Sequence, residues 1–168
     1  MNTTIRALLI ALLAVSVAAC QDSKEDEEAA ARAAAASAPL TAPVDGDDTA
    51  WGNYLTDVVR RNLGNTVNSP YLYYLPSEDS ADFEGEYERL REKAENDVLR
   101  GILEGNMLAF GSPASARMAD LIVDAFSDVQ PASMPGVRVL FIGKAEDSER
   151  VRAAVEPTGA EYIFVEAK

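Results

Sequence analysis

The chain has 168 residues, of which 28 are acidic and 15 basic; its formal charge is −13, with one cysteine and no histidine. The acid excess excludes a general nucleic-acid surface or adhesion to anionic lipid headgroups, and it favours a basic partner. The missing histidine removes the usual general base, the Ser-His and Cys-His nucleophile pairs and the commonest transition-metal ligand.

The chain starts with a short charged segment, Met1 to Arg6, and an apolar run from Ala7 to Val15. The small residues Val17, Ala18 and Ala19 follow, ahead of Cys20. The run is far short of the roughly 20 residues that span a bilayer, and the layout is that of an export signal. Val17-Ala18-Ala19-Cys20 resembles the lipobox of bacterial lipoproteins. That resemblance implies a signal peptide over 1–19, cleavage before Cys20 and acylation of the Cys20 thiol and its new amino group. Each buried methylene of an acyl chain contributes about 0.8 kcal/mol, and more than one chain gives stable anchoring. The lipoprotein pattern implies three chains, and Gln21 after the cysteine, where aspartate would retain the protein in the inner membrane, looks like an outer-membrane signal. The expected location is the bacterial cell envelope, lipid-anchored and facing the periplasm, with the outer membrane favoured over the inner. Cleavage removes Arg6 and no acid, which takes the formal charge to −14.

Residues 20–48 form the second region. Glu25-Asp26-Glu27-Glu28 precedes an alanine-rich stretch, then Pro39, Pro43 and Gly46, and no large apolar residue occurs between Gln21 and Leu40. Such a segment cannot bury a face and is expected to be a flexible tether, with a reach of about 30 Å if it behaves as a coil.

The third region, 49–168, is long enough for one domain with a real core. Asp48 or Thr49 is a plausible cap for a helix carrying Trp51, Leu55, Val58, Val59 and Leu63 at helical spacing, with Gly64 as its stop. Tyr71 to Leu75, between Pro70 and Pro76, reads as a short strand. Phe83, Tyr87, Leu90, Ala94 and Val98 form the apolar stripe of a helix over about 80–100, ended by Gly101. Met107 to Phe110 is a second strand. Ser112 as cap and Pro113 at the first position open a helix whose stripe is Met118, Leu121, Ile122, Ala125 and Phe126. Val137 to Ile142 is a third strand, Asp147 or Ser148 caps a helix to Glu156, and Tyr162 to Val165 is the last strand. The expected fold class is α/β: a single domain of about four mostly parallel strands alternating with about four helices, in the order αβαβαβαβ. Four helices could cover both faces of the sheet or leave one open.

No Walker loop, dinucleotide fingerprint or calcium-loop spacing is present, and no cofactor or metal site is expected. Two places hold chemistry-bearing residues. Gly111-Ser112 and Gly143-Lys144 both follow strands and would share the carboxyl edge of a parallel sheet, where α/β folds bind ligands. Ser112 with Lys144 could hold an anion, or act as a nucleophile–base pair if Lys144 were desolvated; the plain alternative is a helix cap and a solvated lysine. The other place is the tyrosine strand. Tyr71, Tyr73 and Tyr74 are interface-type residues, and Glu84 and Glu88 belong to the acidic stretch that follows. Alternation puts Tyr71 and Tyr73 on one face and Tyr74 on the other. These rings either fill core or anchor a partner beside a negative rim.

The expected function is a membrane-anchored, non-enzymatic module that binds a basic protein, in a specific form an inhibitor or immunity protein against an envelope-acting enzyme. The alternatives are a small-ligand or anion-binding lipoprotein, or an accessory subunit of an envelope or secretion assembly.

Overall fold

The computed structural model describes Ala38 and residues 40–168. The signal segment, the lipobox with Cys20 and the acidic, alanine-rich part of the tether lie outside the described residues. Helices and strands alternate as expected: α1 (Asp48–Arg61), β1 (Tyr71–Tyr74), α2 (Phe83–Leu99), β2 (Met107–Gly111), α3 (Ser115–Phe126), β3 (Arg138–Gly143), α4 (Ala145–Val155), a 3-10 turn (Glu156–Thr158) and β4 (Glu161–Glu166). The four strands make one sheet in the order β1-β2-β3-β4, and every pairing is parallel. This is the α/β domain that the alternating pattern predicts.

Both faces carry helices. Strand alternation sends Tyr73, Leu108, Phe110, Val139 and Phe141 to one face, where they pack with α2, α3 and α4 through Tyr87, Val98, Met118, Ile122 and Val151. Met107, Ala109, Leu140 and Ile142 point the other way, onto Trp51, Tyr54, Leu55, Val58 and Val59 of α1. Each large apolar side chain buried in this way contributes about 1.5–3 kcal/mol. The single helix α1 covers the two central strands, so the outer strands are less enclosed on its side: Leu72 is exposed, and Ile163 and Val165 are half-buried.

Four helix starts differ from the sequence reading, each for a local reason. Asp47 caps α1, one residue early, because its Oδ1 accepts from the Ala50 amide at 2.6 Å. α2 begins at Phe83, where Asp82 makes no capping bond and instead pairs with Arg89. α3 begins at Ser115: Ser112-Pro113-Ala114 forms the turn after β2, and Ala114, at ψ 65°, is not helical. α4 begins at Ala145, directly after the extended Lys144, so Asp147 lies inside the helix and is not its cap.

Residues 40–47, which composition assigns to the tether, lie on the domain. The Leu40 amide donates to Asp57 Oδ2 at 3.2 Å, the Ala42 amide donates to the Lys168 carbonyl at 3.2 Å, and Trp51 Nε1 donates to the Asp45 carbonyl at 2.9 Å. The compact unit accordingly runs from Leu40 to Lys168.

Candidate functional site

The tyrosines of β1 occupy three different environments. Tyr73 is wholly buried: its ring stacks on Phe110 at 4.5 Å, and its hydroxyl donates to Asp97 at 2.8 Å. Burial and the neighbouring carboxylate push its phenol well above the ordinary range. Burial opposes the charge on Asp97, yet bonds from Lys93 and Tyr73 outweigh it and hold the carboxyl below its usual value. Tyr73 is therefore a core residue and is not available as a surface anchor. Tyr71, one alternation away on the same face, is 41 % exposed at the start of the edge strand.

Tyr74 faces the other way, is half-buried, and is the tyrosine that meets the acidic segment. A hollow of about 540 Å³ opens beside it, lined by Asp48, Pro76, Glu86, Arg89, Leu90 and Lys93 as well as Tyr74. The Tyr74 hydroxyl donates to Asp48 Oδ1 at 2.7 Å; burial first, and then that carboxylate, raise its pKa. The two cations of the hollow are already engaged. Arg89 pairs with Asp82 at 2.9 Å, while Lys93 pairs with Asp97 at 2.6 Å and lies over the Tyr73 ring. Glu86 makes no ion pair among the described residues. Once these pairs are counted, Asp48 and Glu86 leave the hollow two carboxylates in excess, around an aromatic ring and the Leu90 side chain.

Glu84 and Glu88 fall outside that hollow. Glu84 pairs with Arg117 of α3 at 2.8 Å, and that guanidinium stacks over the Tyr87 ring at 4.2 Å. Glu88 pairs with Arg91 at 2.7 Å. Both are exposed members of helix-surface ion pairs. The acid on the correct side of α2 is Glu86, between them.

The second predicted place is a cleft of about 370 Å³ at the carboxyl edge of the sheet. Ser112, Ser115, Gly143 and Lys144 line it, as do Asp45, Trp51 and Asp79. Ser112 is buried, and its hydroxyl accepts from the Ala114 amide at 2.8 Å, which braces the turn. Lys144 is exposed, and no hydrogen bond joins its side chain to Ser112 among the described residues. The polar link across the edge is made by Ser115: its hydroxyl donates to Asp147 Oδ2 at 2.7 Å and accepts from the Lys144 amide at 2.8 Å. Asp147 is also held by Arg150 at 2.8 Å. None of the side-chain oxygens of Ser112, Ser115 and Asp147 is buried without a hydrogen-bond partner.

The strand-end glycines have packing reasons. A Cβ on Gly111 would collide with Leu55 of α1, and one on Gly143 would stand 2.6 Å from Ser115 Oγ and 2.5 Å from the Phe141 ring. They let α1 and α3 approach the sheet. Asp45 and Asp79 oppose Lys144 in the cleft, so its charge balance does not select an anion.

Among the described residues no group of three or more carboxylates and thiols could hold a metal ion, and no helix is long and apolar enough to cross a membrane. No family model matches the sequence, no curated protein matches it and no solved structure matches it, so local geometry has to carry the functional reading.

Proposed function

We propose that the domain is a non-enzymatic, lipid-anchored module of the bacterial envelope that binds a basic protein through the hollow around Tyr74. The observation that carries this reading is the pairing of a half-exposed tyrosine with two carboxylates, Asp48 and Glu86, whose charge the local cations do not balance. Aromatic rings in partly enclosed hollows are the usual energetic anchors of interfaces, and unbalanced rim charge accelerates encounter with an oppositely charged partner. An incoming lysine or arginine would meet Glu86 and Asp48 at the rim and could lay its aliphatic stem on Leu90 and Tyr74. Cys20, by its lipobox context, supplies the anchor and places the module in the periplasm. A module of this size, charge and location suits an inhibitor or immunity protein acting on an envelope-directed enzyme, and an accessory role in an envelope assembly uses the same surface.

Association kinetics test this. With the partner captured from the native envelope, Glu86→Lys should slow association and flatten its dependence on salt, since exposed charge is screened over about 10 Å at 0.1 M. Tyr74→Ala should speed dissociation by a factor equivalent to about 2 kcal/mol. Unchanged rates in both variants would remove the hollow from the interface.

A further inference from the structure

The two ends of the strands carry different surfaces. Acids stand at the carboxyl end: Asp48 and Glu86 in the hollow beside Tyr74, and Asp45 and Asp79 in the neighbouring cleft. The amino end is built from the loop between α1 and β1 and the turn between α2 and β2. No charged residue occurs from Asn62 to Ser77. A Cβ on Gly64 would stand 2.5 Å from Arg138 Nη1, which places the loop against the start of β3. The Val67 and Asn68 amides donate to the Gly105 carbonyl at 2.9 and 3.4 Å and join the loop to the turn before β2.

Large apolar side chains are exposed around this junction. Val67 is 81 % exposed and Leu103 78 %, and Leu99 and Tyr71 are exposed as well. Their grouping follows from the course of α2. The Tyr73 hydroxyl reaches Asp97, so the last turn of α2 lies beside β1, and Leu99 and Leu103 continue from it toward Tyr71 and the Val67 loop. Single exposed apolar residues are ordinary, but four at one end of a molecule form a patch of the kind that marks an interaction site. Arg100, 4.0 Å from Asp97, and the exposed Glu104 border the patch with opposite signs.

The chain outside the described residues leads toward this same end. Asp48 at the start of α1 meets Tyr74 at the end of β1, so α1 runs against the strands and finishes at their amino end. Followed backwards, the N-terminal segment passes from the Lys168 carbonyl, at Ala42, to the Asp57 carboxylate, at Leu40. It therefore leaves the domain along the second half of α1, away from the carboxyl end. Residues 21–39 separate Leu40 from Cys20. As a coil they would reach about 25 Å.

We infer that the amino end of the sheet docks on the lipid surface to which Cys20 anchors the chain, through Val67, Tyr71, Leu99 and Leu103, and that this turns the Tyr74 hollow away from the membrane. The inference rests on the reading of Cys20 as the lipid anchor. The tether sets the occupant. It presents the membrane at an effective concentration on the order of millimolar, at which a small apolar patch stays docked although it would not hold a free partner. The acids set the orientation, because anionic headgroups repel the carboxyl end and not the uncharged loop. Tyrosine suits the interfacial layer, and Arg100 can lay its stem on the patch with its charge at the headgroups. A second copy gains nothing from the tether, and two chains at −13 repel each other.

The probe is a phosphatidylcholine nanodisc containing a lipid with a nitroxide on its headgroup. The full chain is coupled at Cys20, its one cysteine, to a maleimide lipid in the disc, so the anchor is present whatever the native chain carries. The amide signals of Val67, Tyr71, Leu99 and Leu103 should broaden, while those of Asp45, Asp79 and Glu86 stay sharp. In a chain carrying both Val67→Glu and Leu103→Glu, which alter exposed side chains only, broadening at Tyr71 and Leu99 should fall to the level of the carboxyl end, with the thermal midpoint unchanged. Equal broadening at both ends, stronger broadening at the carboxyl end, a variant that behaves like its parent, or lipid-free self-association that covers the same residues would each overturn the docking. In the native chain the mass of Cys20 should include acyl chains; an unmodified thiol would overturn the anchor reading, and the docking with it.

Discussion

Replacing Ser115 by alanine should destabilise the domain more than the same replacement of Ser112, its neighbour at the carboxyl edge of the sheet. Ser115 is 4 % exposed, and its hydroxyl joins three elements: it sits at the start of α3, donates to Asp147 of α4 and accepts from the Lys144 amide at the end of β3. The bond to a carboxylate contributes about 1.5–3 kcal/mol, and stranding a backbone amide costs about 1–3 kcal/mol when water cannot reach it. Lys144 is exposed and Arg150 still holds Asp147, so the sum should sit low in its range, at about 2.5–4 kcal/mol. For a domain of this size that is a fall in midpoint of about 6–12 °C, measured by thermal unfolding followed by circular dichroism. Ser112→Ala, which loses one neutral bond to the Ala114 amide, should cost only about 1 kcal/mol. Gly143→Ala would drive its Cβ toward Ser115 Oγ, so in a double-mutant cycle its cost should shrink in the Ser115→Ala background; it should not vanish, because the Phe141 ring also stands in the way. Equal midpoints for the two serine variants, or a reversed order, would refute the assignment of Ser115 as the link.

Three further outcomes are expected. Tyr73→Phe should cost about 1.5 kcal/mol in denaturant titration, because the buried hydroxyl serves Asp97, whereas Lys144→Ala should stay within about 0.5 kcal/mol. A chain beginning at Leu40 should unfold like the full chain, but one beginning at residue 48 should melt lower, having lost the Asp47 cap and the bonds of Leu40, Ala42 and Asp45 to the domain. Stability should fall as pH drops below about 4: bonds from Arg61, then Arg60, hold the Asp57 carboxyl well below its unfolded value, so its contribution is present above the ordinary carboxylate pKa and is lost as it protonates. Asp57→Asn should flatten that acid limb in urea titrations across pH, and an unchanged limb would contradict the account.

The elements were legible because each carries its own period. Phe83, Tyr87, Ala94 and Val98 step along one helix face, and the apolar runs at Met107 and Val137 are the two central strands, buried on both sides. Helix starts were less legible. Ser112-Pro113 has the composition of a cap, but Gly111 extends β2 until the chain needs those residues for the turn, and Asp147 is drawn inward by a serine 32 residues away. The N-terminal segment was misread for a related reason: Leu40 and Ala42 bury little area, and what holds the segment is backbone bonding to Asp57 and Lys168, which leaves no mark on composition. At the hollow, a tyrosine beside acids could be read from the sequence. Which tyrosine and which acid could not, because Tyr74 meets Asp48 across 26 residues, and Glu86 reaches the hollow from a helix that packs on the opposite face of the sheet.

The central claim is that the hollow of Tyr74, Asp48 and Glu86 is the contact surface for a basic envelope protein. A photo-crosslinking residue in place of Tyr74, in the full chain in native cells, tests it most directly, with the same residue in place of Glu156 on the exposed end of α4 as the reference. The account predicts a discrete adduct from position 74 with a protein of high isoelectric point, absent from position 156 and lost when Glu86→Lys is added. No adduct from position 74, an acidic partner, or an adduct indifferent to Glu86→Lys would contradict it.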